Sequence, residues 1–426
     1  PQRRMLPAPP YTTQSSDGSR HVSSSSLAAP HAHNPGSESS RVKRLRVGVV
    51  YGGRSSEHEV SLASAAAIIA NLDRNRYEPV PIRIERSGRW TLADKPPTAE
   101  SAAATIETAR AARAIPARES REVHLMARPG EETVLTLDRT AEPEMGDERA
   151  VLATLSLDVI FPILHGPYGE DGTLQGLLEL ADVPYVGAGV LASATGMDKA
   201  IMKILFAAAG LPLVRHDVVR RRDWREAPDT VVERLESRLR YPLFVKPANL
   251  GSSVGISRVE DMEALKAALD LAAEYDRKLV VEEGVAPCRE IECAVIGNDR
   301  PDTSVLGEIV PSCPFYDYKA KYQDRTETLI PAQLTDAQAA RIRTMAADAF
   351  KAIDGAGMAR VDFLLASDTG DLFVNEINTH PGFTTISMFS KLWAASGMSY
   401  SVLLDRLVEL ALERHTDKQE RRTTPW

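Results

Sequence analysis

The sequence has only three cysteines in 426 residues, too few and too odd a number for a disulfide framework. No apolar run approaches the ~20 residues that cross a bilayer as a helix. Positive charge is not in excess: 51 lysines and arginines stand against 59 aspartates and glutamates, a net charge of −8. No basic stripe of the kind that follows a nucleic-acid backbone is evident. These absences exclude a membrane protein and a secreted cystine scaffold, and they argue against nucleic acid as a partner. What remains is ordinary globular composition, 43% hydrophobic and 26% charged. At ~100–200 residues per domain, the length allows two to four domains. The expectation is a cytoplasmic, multidomain enzyme.

The first forty residues differ from the rest. Pro1–Ser40 holds ten Ser, six Pro and two Gly, but only three residues from Leu, Ile, Val and Phe. Such a stretch cannot bury enough apolar surface to offset its ordering entropy. Residues 1–44 are therefore expected to be a disordered extension. Arg3, Arg4, Arg20 and the serines resemble a transit peptide in composition, and an upstream extension is the plainer reading.

Order is expected from Arg46. Leu45–Tyr51 is a Val-rich run closed by Gly52 and Gly53, and it reads as a buried strand. Glu59–Leu72 has helical spacing, and Val80–Glu85 supplies a second strand. This βαβ start predicts a parallel sheet with a ligand site at the strand C-terminal ends. Pro96–Ala150 is irregular, with a helix candidate at Ala102–Ala114 and a hairpin candidate at Val123–Leu137. Further strands are read at Leu157–Leu164 and Val183–Val186, and helices at Thr173–Ala181 and Asp198–Ala209. The pattern changes near residue 211. Strands at Leu243–Lys246, Val254–Val259, Leu279–Glu282, Ile291–Ile296 and Ser304–Val310 then mix with helices at Asp261–Tyr275 and Thr335–Ile353. Boundaries are placed near 150 and 215, with a softer one near 300.

Ala359–Gly382 is the most informative segment. Arg360–Leu365 and Leu372–Asn378 read as strands, with Ser367–Asp371 as the turn between them. A hairpin centred on Thr369 pairs Asp362 with Glu376 and Arg360 with Asn378. Residues two apart on a strand share a face, so all four meet. Asp362, Glu376 and Asn378 then offer three oxygen ligands suited to a hard cation such as Mg²⁺. The plain alternative is a solvated face of alternating charge. Two acids opposed across a ladder repel each other there, which favours a cation between them.

Other motifs are weaker taken alone. Lys246 at a strand end, followed by Gly251, Ser252 and Ser253, can wrap N–H groups and hydroxyls around phosphates. A flexible turn has the same composition, and no Walker Gly-Lys-Ser/Thr is present. Lys199 and Lys246 can each meet a phosphate or be solvated surface. Glu282-Glu283-Gly284-Val285 can offer backbone to an adenine and a carboxylate to a ribose, or be a charged strand end. Gly187-Ala188-Gly189 lacks the third glycine of a dinucleotide fingerprint, because position 192 is Ala. The histidines and cysteines lack zinc spacing.

Seven segments together resemble the D-alanine–D-alanine ligase family of ATP-grasp carboxylate–amine ligases. They are GVVYGGRSSEHEVSL (48–62), ILHGPYGEDGTLQG (163–176), MDK (197–199), VKPANLGSSVGIS (245–257), FYDYKAKY (315–322), ARVDF (359–363) and NEINTHPGFTTISM (375–388). They occur in family order and span about residues 45–412. The resemblance implies a three-domain α/β (α+β) ATP-grasp fold, with an N-terminal parallel-sheet domain and ATP between two antiparallel sheets. Mapped onto this chain, residues 45–150 and 151–214 form the N-terminal substrate domain. Residues 215–300 and 301–415 form the two ATP-grasp subdomains, and 416–426 is a tail.

The resemblance also implies a reaction. ATP phosphorylates one D-alanine carboxylate, and the amine of a second D-alanine attacks the acyl phosphate. Asp362, Glu376 and Asn378 match ligands of Mg²⁺ (or Mn²⁺), two ions in all. Lys199, Lys246, Ser253 and Lys321 match contacts to ATP phosphates or substrate. Glu282 or Glu283, with Glu290, match the nucleotide-contacting stretch, although the spacing around Cys288 is one residue off the commonest pattern. Glu57 matches the acid that anchors the first ammonium, and a plain helix-start role explains it equally. Ser252 and Tyr322 match its partners in a triad. Arg360 and the Gly382 N–H match an oxyanion site, Ser387 a hydroxyl for the second carboxylate, and His165 a position near the first substrate. Tyr322 favours an amine nucleophile over D-lactate, while Asn249 and Leu250 depart from the charged residues often found in that loop. D-lactate or D-serine as second substrate, and a non-catalytic binding protein, are the alternatives. The resemblance further implies a homodimer.

Overall fold

The structure is a computed structural model that describes residues 43–93, 97, 121–127, 129, 134–140, 149–310, 327–384 and 386–422. The extension before residue 43, the helix candidate Ala102–Ala114 and the loop carrying Lys321 and Tyr322 lie outside the described residues. Among the described residues no helix is long and apolar enough to cross a membrane.

The first strand, β1 (Leu45–Gly52), leads through α1 (His58–Asn71) to β2 (Tyr77–Ile84). Strands β3 (Trp90–Leu92), β4 (Glu122–Leu125), β5 (Val134–Thr140), β6 (Arg149–Leu155) and β7 (Val159–Ile163) follow. They form one sheet in the order β6-β5-β4-β3-β2-β1-β7. Val47, Val49 and Val50 are fully buried, as befits a central strand covered on both faces. Only β2-β1-β7 is parallel; β2 through β6 run as an antiparallel meander. The expected parallel sheet is thus a mixed one: the five residues between β2 and β3 make a tight antiparallel return, and the strands from β3 to β6 continue antiparallel. Gly52 ends β1 at φ +97°, where a Cβ would lie 2.2 Å from the Ile84 carbonyl oxygen. Only glycine fits there, and the chain turns sharply toward α1.

Helices α2 (Thr173–Ala181), α3 (Val190–Met197) and α4 (Lys199–Ala208) come next. The expected strand Val183–Val186 shrinks to one parallel bridge between Ile160 and Tyr185. Pro184 has no N–H to extend the pairing, and Gly187 at φ +97° turns the chain away. Asp198 caps α4 by accepting from the Ala200 and Ile201 N–H groups.

A second sheet comprises β8 (His216–Arg220), β9 (Leu243–Pro247), β10 (Ser257–Val259) and β11 (Lys278–Glu283), in the order β10-β9-β11-β8 and fully antiparallel. Helices α5 (Arg221–Glu226), α6 (Pro228–Arg238) and α7 (Met262–Tyr275) belong to the same region. Leu243 and Val245 of β9 pack with Leu265 and Leu269 of α7 in one core. The alternate residues Phe244 and Lys246 are therefore on the other face.

The third sheet follows the same plan. It runs β14-β13-β12-β15-β16, from β12 (Cys288–Gly297), β13 (Asp302–Val310), β14 (Glu327–Leu329), β15 (Gly357–Ala366) and β16 (Leu372–Asn378). Helix α8 (Asp336–Ala352) covers one face, with Ile342 and Met345 in a core that includes Val361, Phe363 and Leu365. A Thr335–Gln338 capping box starts α8. Arg360, Asp362 and Leu364 alternate with the buried residues and are half-buried on the opposite face. The boundary expected near 300 falls within this sheet, between β12 and β13. Two further helices, α9 (Met388–Ala395) and α10 (Tyr400–Gln419), close the described chain. Helix α10 runs into the stretch expected to be a tail, where Gln419 donates to Asp182. Its buried residues Leu403, Leu404 and Leu407 share a core with Val47 and Phe161 of the first sheet.

Candidate active site

One cleft, of about 700 Å³ of empty space partly open to solvent, gathers residues from widely separated segments. Glu57, His165, Lys199, Ser252, Arg360, Glu376, Asn378 and Gly382 all line it. The hairpin supplies the most densely charged wall. Arg360 pairs with Asn378 and Asp362 with Glu376 in the β15–β16 ladder, the register expected from a turn centred on Thr369. The route to that register differs. Nearer the turn Phe363 pairs with Val374, so Asn375 is an extra residue, a bulge beside the charged pair. Without the bulge, Glu376 would be out of register with Asp362.

The opposed acids are held by cations of the protein itself. Arg360 donates through Nε and Nη2 to both Asp362 oxygens, at 2.7 Å each. Glu292 of β12 lies 3.2 Å from the same Nε. Burial opposes the guanidinium charge, but Asp362 and Glu292 outweigh it and hold its pKa well above the ordinary value. Lys199 lies 3.4 Å from Glu376 and donates to the Leu250 carbonyl at 2.9 Å.

Glu57 is at the N-terminus of α1, but its side chain makes no cap hydrogen bond. It accepts instead from Ser252 Oγ, 195 residues away. Ser252 and Ser253 are consecutive non-glycine residues at φ +53° and +58°. A left-handed L-residue costs about 1–2 kcal/mol, so this loop stores strain where Ser252 reaches Glu57. His165 donates through Nδ1 to the His380 carbonyl at 3.1 Å, and Glu170 lies 3.9 Å away. Burial disfavours the imidazolium, but Glu170 outweighs it and pushes the His165 pKa up. Nε2 of His165 has no hydrogen-bond partner among the described residues.

Other expected residues sit apart from the cleft wall. Ser387 bonds with Thr384, Oγ to Oγ1 at 2.7 Å, and a Cβ on Gly382 would lie 3.2 Å from its Oγ. Lys246 donates to Glu282 at 2.7 Å and lies 3.5 Å from the Asn375 amide oxygen of the third sheet. Glu282 also binds Lys203 at 2.9 Å and is 2% exposed. It is therefore the anion of a buried triad, whereas Glu283 accepts from the Arg240 N–H. Glu290 is on β12, opposite Leu364.

Sequence reasoning did not single out Glu170, Lys203 or Glu292. Signals were available for two of them. Lys203 follows Lys199 by four residues, one helical turn on the same face. Glu292 follows Glu290 by two, the same face of a strand. Glu170, 7% exposed, accepts from the Gly166 N–H at 2.6 Å and lines the cleft.

With the site described, the chain can be set beside known proteins. Residues 46–188 match the family described as D-ala D-ala ligase N-terminus, and 205–409 match D-ala D-ala ligase C-terminus. The chain is 50% identical to a D-alanine–D-alanine ligase of Bacillus velezensis over 373 residues, 87% of this chain and 98% of that protein. It is 48% identical to one from Geobacillus thermodenitrificans, over 88% of this chain and 98% of the relative. Among solved structures, the D-alanine-D-alanine ligase from Coxiella burnetii superposes with a TM-score of 0.72 at 36% identity, over 89% of this chain and 97% of that one. A D-Ala:D-Ser ligase from Enterococcus faecalis gives 0.69 at 32% identity, over 87% and 100%.

Proposed function

The chain belongs to the D-alanine–D-alanine ligase family, and we propose that it uses ATP to join two D-alanine molecules into D-alanyl-D-alanine for peptidoglycan precursor synthesis. The observation that carries this reading is the convergence of Glu57, Ser252, Arg360, Glu376 and Asn378 on one cleft. A carboxylate is a poor electrophile, and phosphorylation by ATP gives it a good leaving group. Such transfer needs positioning and charge neutralisation rather than covalent help from the protein.

Glu57, oriented by Ser252, anchors the ammonium of the first D-alanine. His165 faces that substrate with Nε2. Lys199, Lys246, Ser253 and Lys321 neutralise and position the ATP phosphates, and Glu282, Glu283 and Glu290 belong to the nucleotide side. Once the acyl phosphate has formed, the amine of the second D-alanine, its carboxylate held at Ser387, attacks the carbonyl carbon. Arg360 and the Gly382 N–H stabilise the oxygen of the tetrahedral intermediate, which collapses with release of phosphate. Tyr322 completes the group around Glu57.

The donor chemistry fits a hard divalent cation. Among the described residues no three His, Cys, Asp or Glu side chains are arranged as a metal site; the proposed donor set is two carboxylates and the Asn378 amide oxygen. Asp362, Glu376 and Asn378 would hold Mg²⁺ or Mn²⁺, two ions in the family pattern, whose charge neutralises phosphate oxygens. We place the chain division of the two ATP-grasp sheets between β11 and β12, and we expect a cytoplasmic homodimer. The test is purified protein with ATP, Mg²⁺ and D-alanine, reading phosphate release and dipeptide. Stoichiometric dipeptide supports the proposal. Turnover only with D-lactate or D-serine as second substrate overturns the assigned product, and no turnover with any of them overturns ligation.

A further inference from the structure

Arg360 is held by two carboxylates, and only one belongs to the proposed cation donors. Asp362 takes the guanidinium fork with both oxygens. The second, Glu292, is opposite Asp362 in the β12–β15 ladder, with its Oε2 3.2 Å from Arg360 Nε. It is 8% exposed, and it does not line the cleft that Arg360 lines. Glu292 therefore shares the sheet face of Asp362 and reaches the guanidinium from the neighbouring strand.

This arrangement matters once a cation binds. A bidentate fork fixes both oxygens of Asp362. An Asp362 oxygen that also binds a divalent ion gives it charge density, which weakens the fork, and the new charge repels the guanidinium. Arg360 would then be a buried cation with a weakened partner, a costly state that frees it to move. A second buried carboxylate at the same Nε removes the difficulty. It keeps the guanidinium neutralised and aimed while Asp362 changes partners. With Glu292 ionised, the Arg360–Asp362–Glu292 trio is net negative, which also draws a cation toward the hairpin.

We propose that Glu292 is a positioning residue that retains Arg360 at the cleft while Asp362 turns to a divalent cation. The proposal rests on the cation site of the preceding section. Glu292→Gln keeps the side-chain size and removes the charge. In the variant Arg360 leans more heavily on Asp362, and an incoming ion must compete harder for it.

The experiment measures Mn²⁺ affinity by electron paramagnetic resonance on the full chain, with a non-hydrolysable ATP analogue and no turnover. The expected result is affinity about 10-fold weaker in Glu292→Gln, the scale of losing a partner behind a metal ligand. Glu292→Asp, which keeps the charge, is expected to recover part of that loss. Unchanged affinity in Glu292→Gln overturns the proposal while leaving the cation site intact. No Mn²⁺ binding by the unaltered protein overturns the cation site itself, and this proposal with it. A second measurement needs no altered fold. The Arg360 Nε–H resonance, assigned through its loss in Arg360→Lys, should stay protected from solvent exchange when Mg²⁺ and the analogue are added. Collapse into fast exchange overturns the retaining role.

Discussion

Two charge clusters face each other's sheets, built from the same residue types to different ends. On the second sheet and α4, Glu282 is sealed between Lys203 and Lys246, with side chains 3%, 0% and 12% exposed. On the third sheet, Arg360, Asp362 and Glu376 are 18%, 15% and 31% exposed. In the sealed cluster two cations meet one anion at 2.7–2.9 Å. In the open cluster acids outnumber the cations that hold them, and the surplus faces a cleft. The sealed group pairs its charges internally, and the open one is left with charge that a ligand can complete. Lys246 joins the two regions, since its Nζ also approaches Asn375 on the bulge.

The contrast breaks most readily at the open cluster. Glu376→Gln should lower turnover by about 10³-fold or more with little change in urea midpoint, because cation charge stabilisation supplies several kcal/mol. Steady-state phosphate release checks this, and near-normal activity would refute the metal assignment. Glu282→Gln should instead show a large stability loss, about 3–5 kcal/mol in urea unfolding, since two buried lysines lose their shared partner. A variant as stable as the parent would mean that the triad is not sealed.

A pH series sharpens the same point. Burial alone would raise the Glu282 carboxyl, but Lys203 and Lys246 outweigh it and hold the carboxyl far below its ordinary 4.5. An acid depressed on folding adds stability that is complete above its unfolded value and fades as pH falls toward the folded one. Unfolding followed below pH 4.5 should therefore steepen in the parent and be flatter in Glu282→Gln. The smallest effect is expected from Arg222→Ala. Its exposed pair with Glu226 is solvated, so the change should stay within about 0.5 kcal/mol.

Much of the hairpin was legible in the chain because it is local. Alternation over Arg360–Leu365 and Leu372–Asn378 is a period-two signal, and a short turn allows few registers. The bulge at Asn375 was not legible, since no residue type there demands it. Thr173–Ala181 was read at its observed limits, because a Gly-rich turn and helical spacing are also local. Helices α9 and α10 went unread. Lys321 and Tyr322 lie outside the described residues, so the third member expected around Glu57 rests on the family resemblance.

By itself the sequence determined the strand and helix periods, the charged hairpin face and the family, since these depend on neighbours a few residues apart or on motifs in order. The tertiary structure decided the rest. Ser252 meets Glu57 across 195 residues, Lys203 meets Glu282, and Glu292 meets Arg360. Such pairs are set by how the helix-covered sheets pack, and apolar burial, which carries no sequence-local signature of its partner, does that packing.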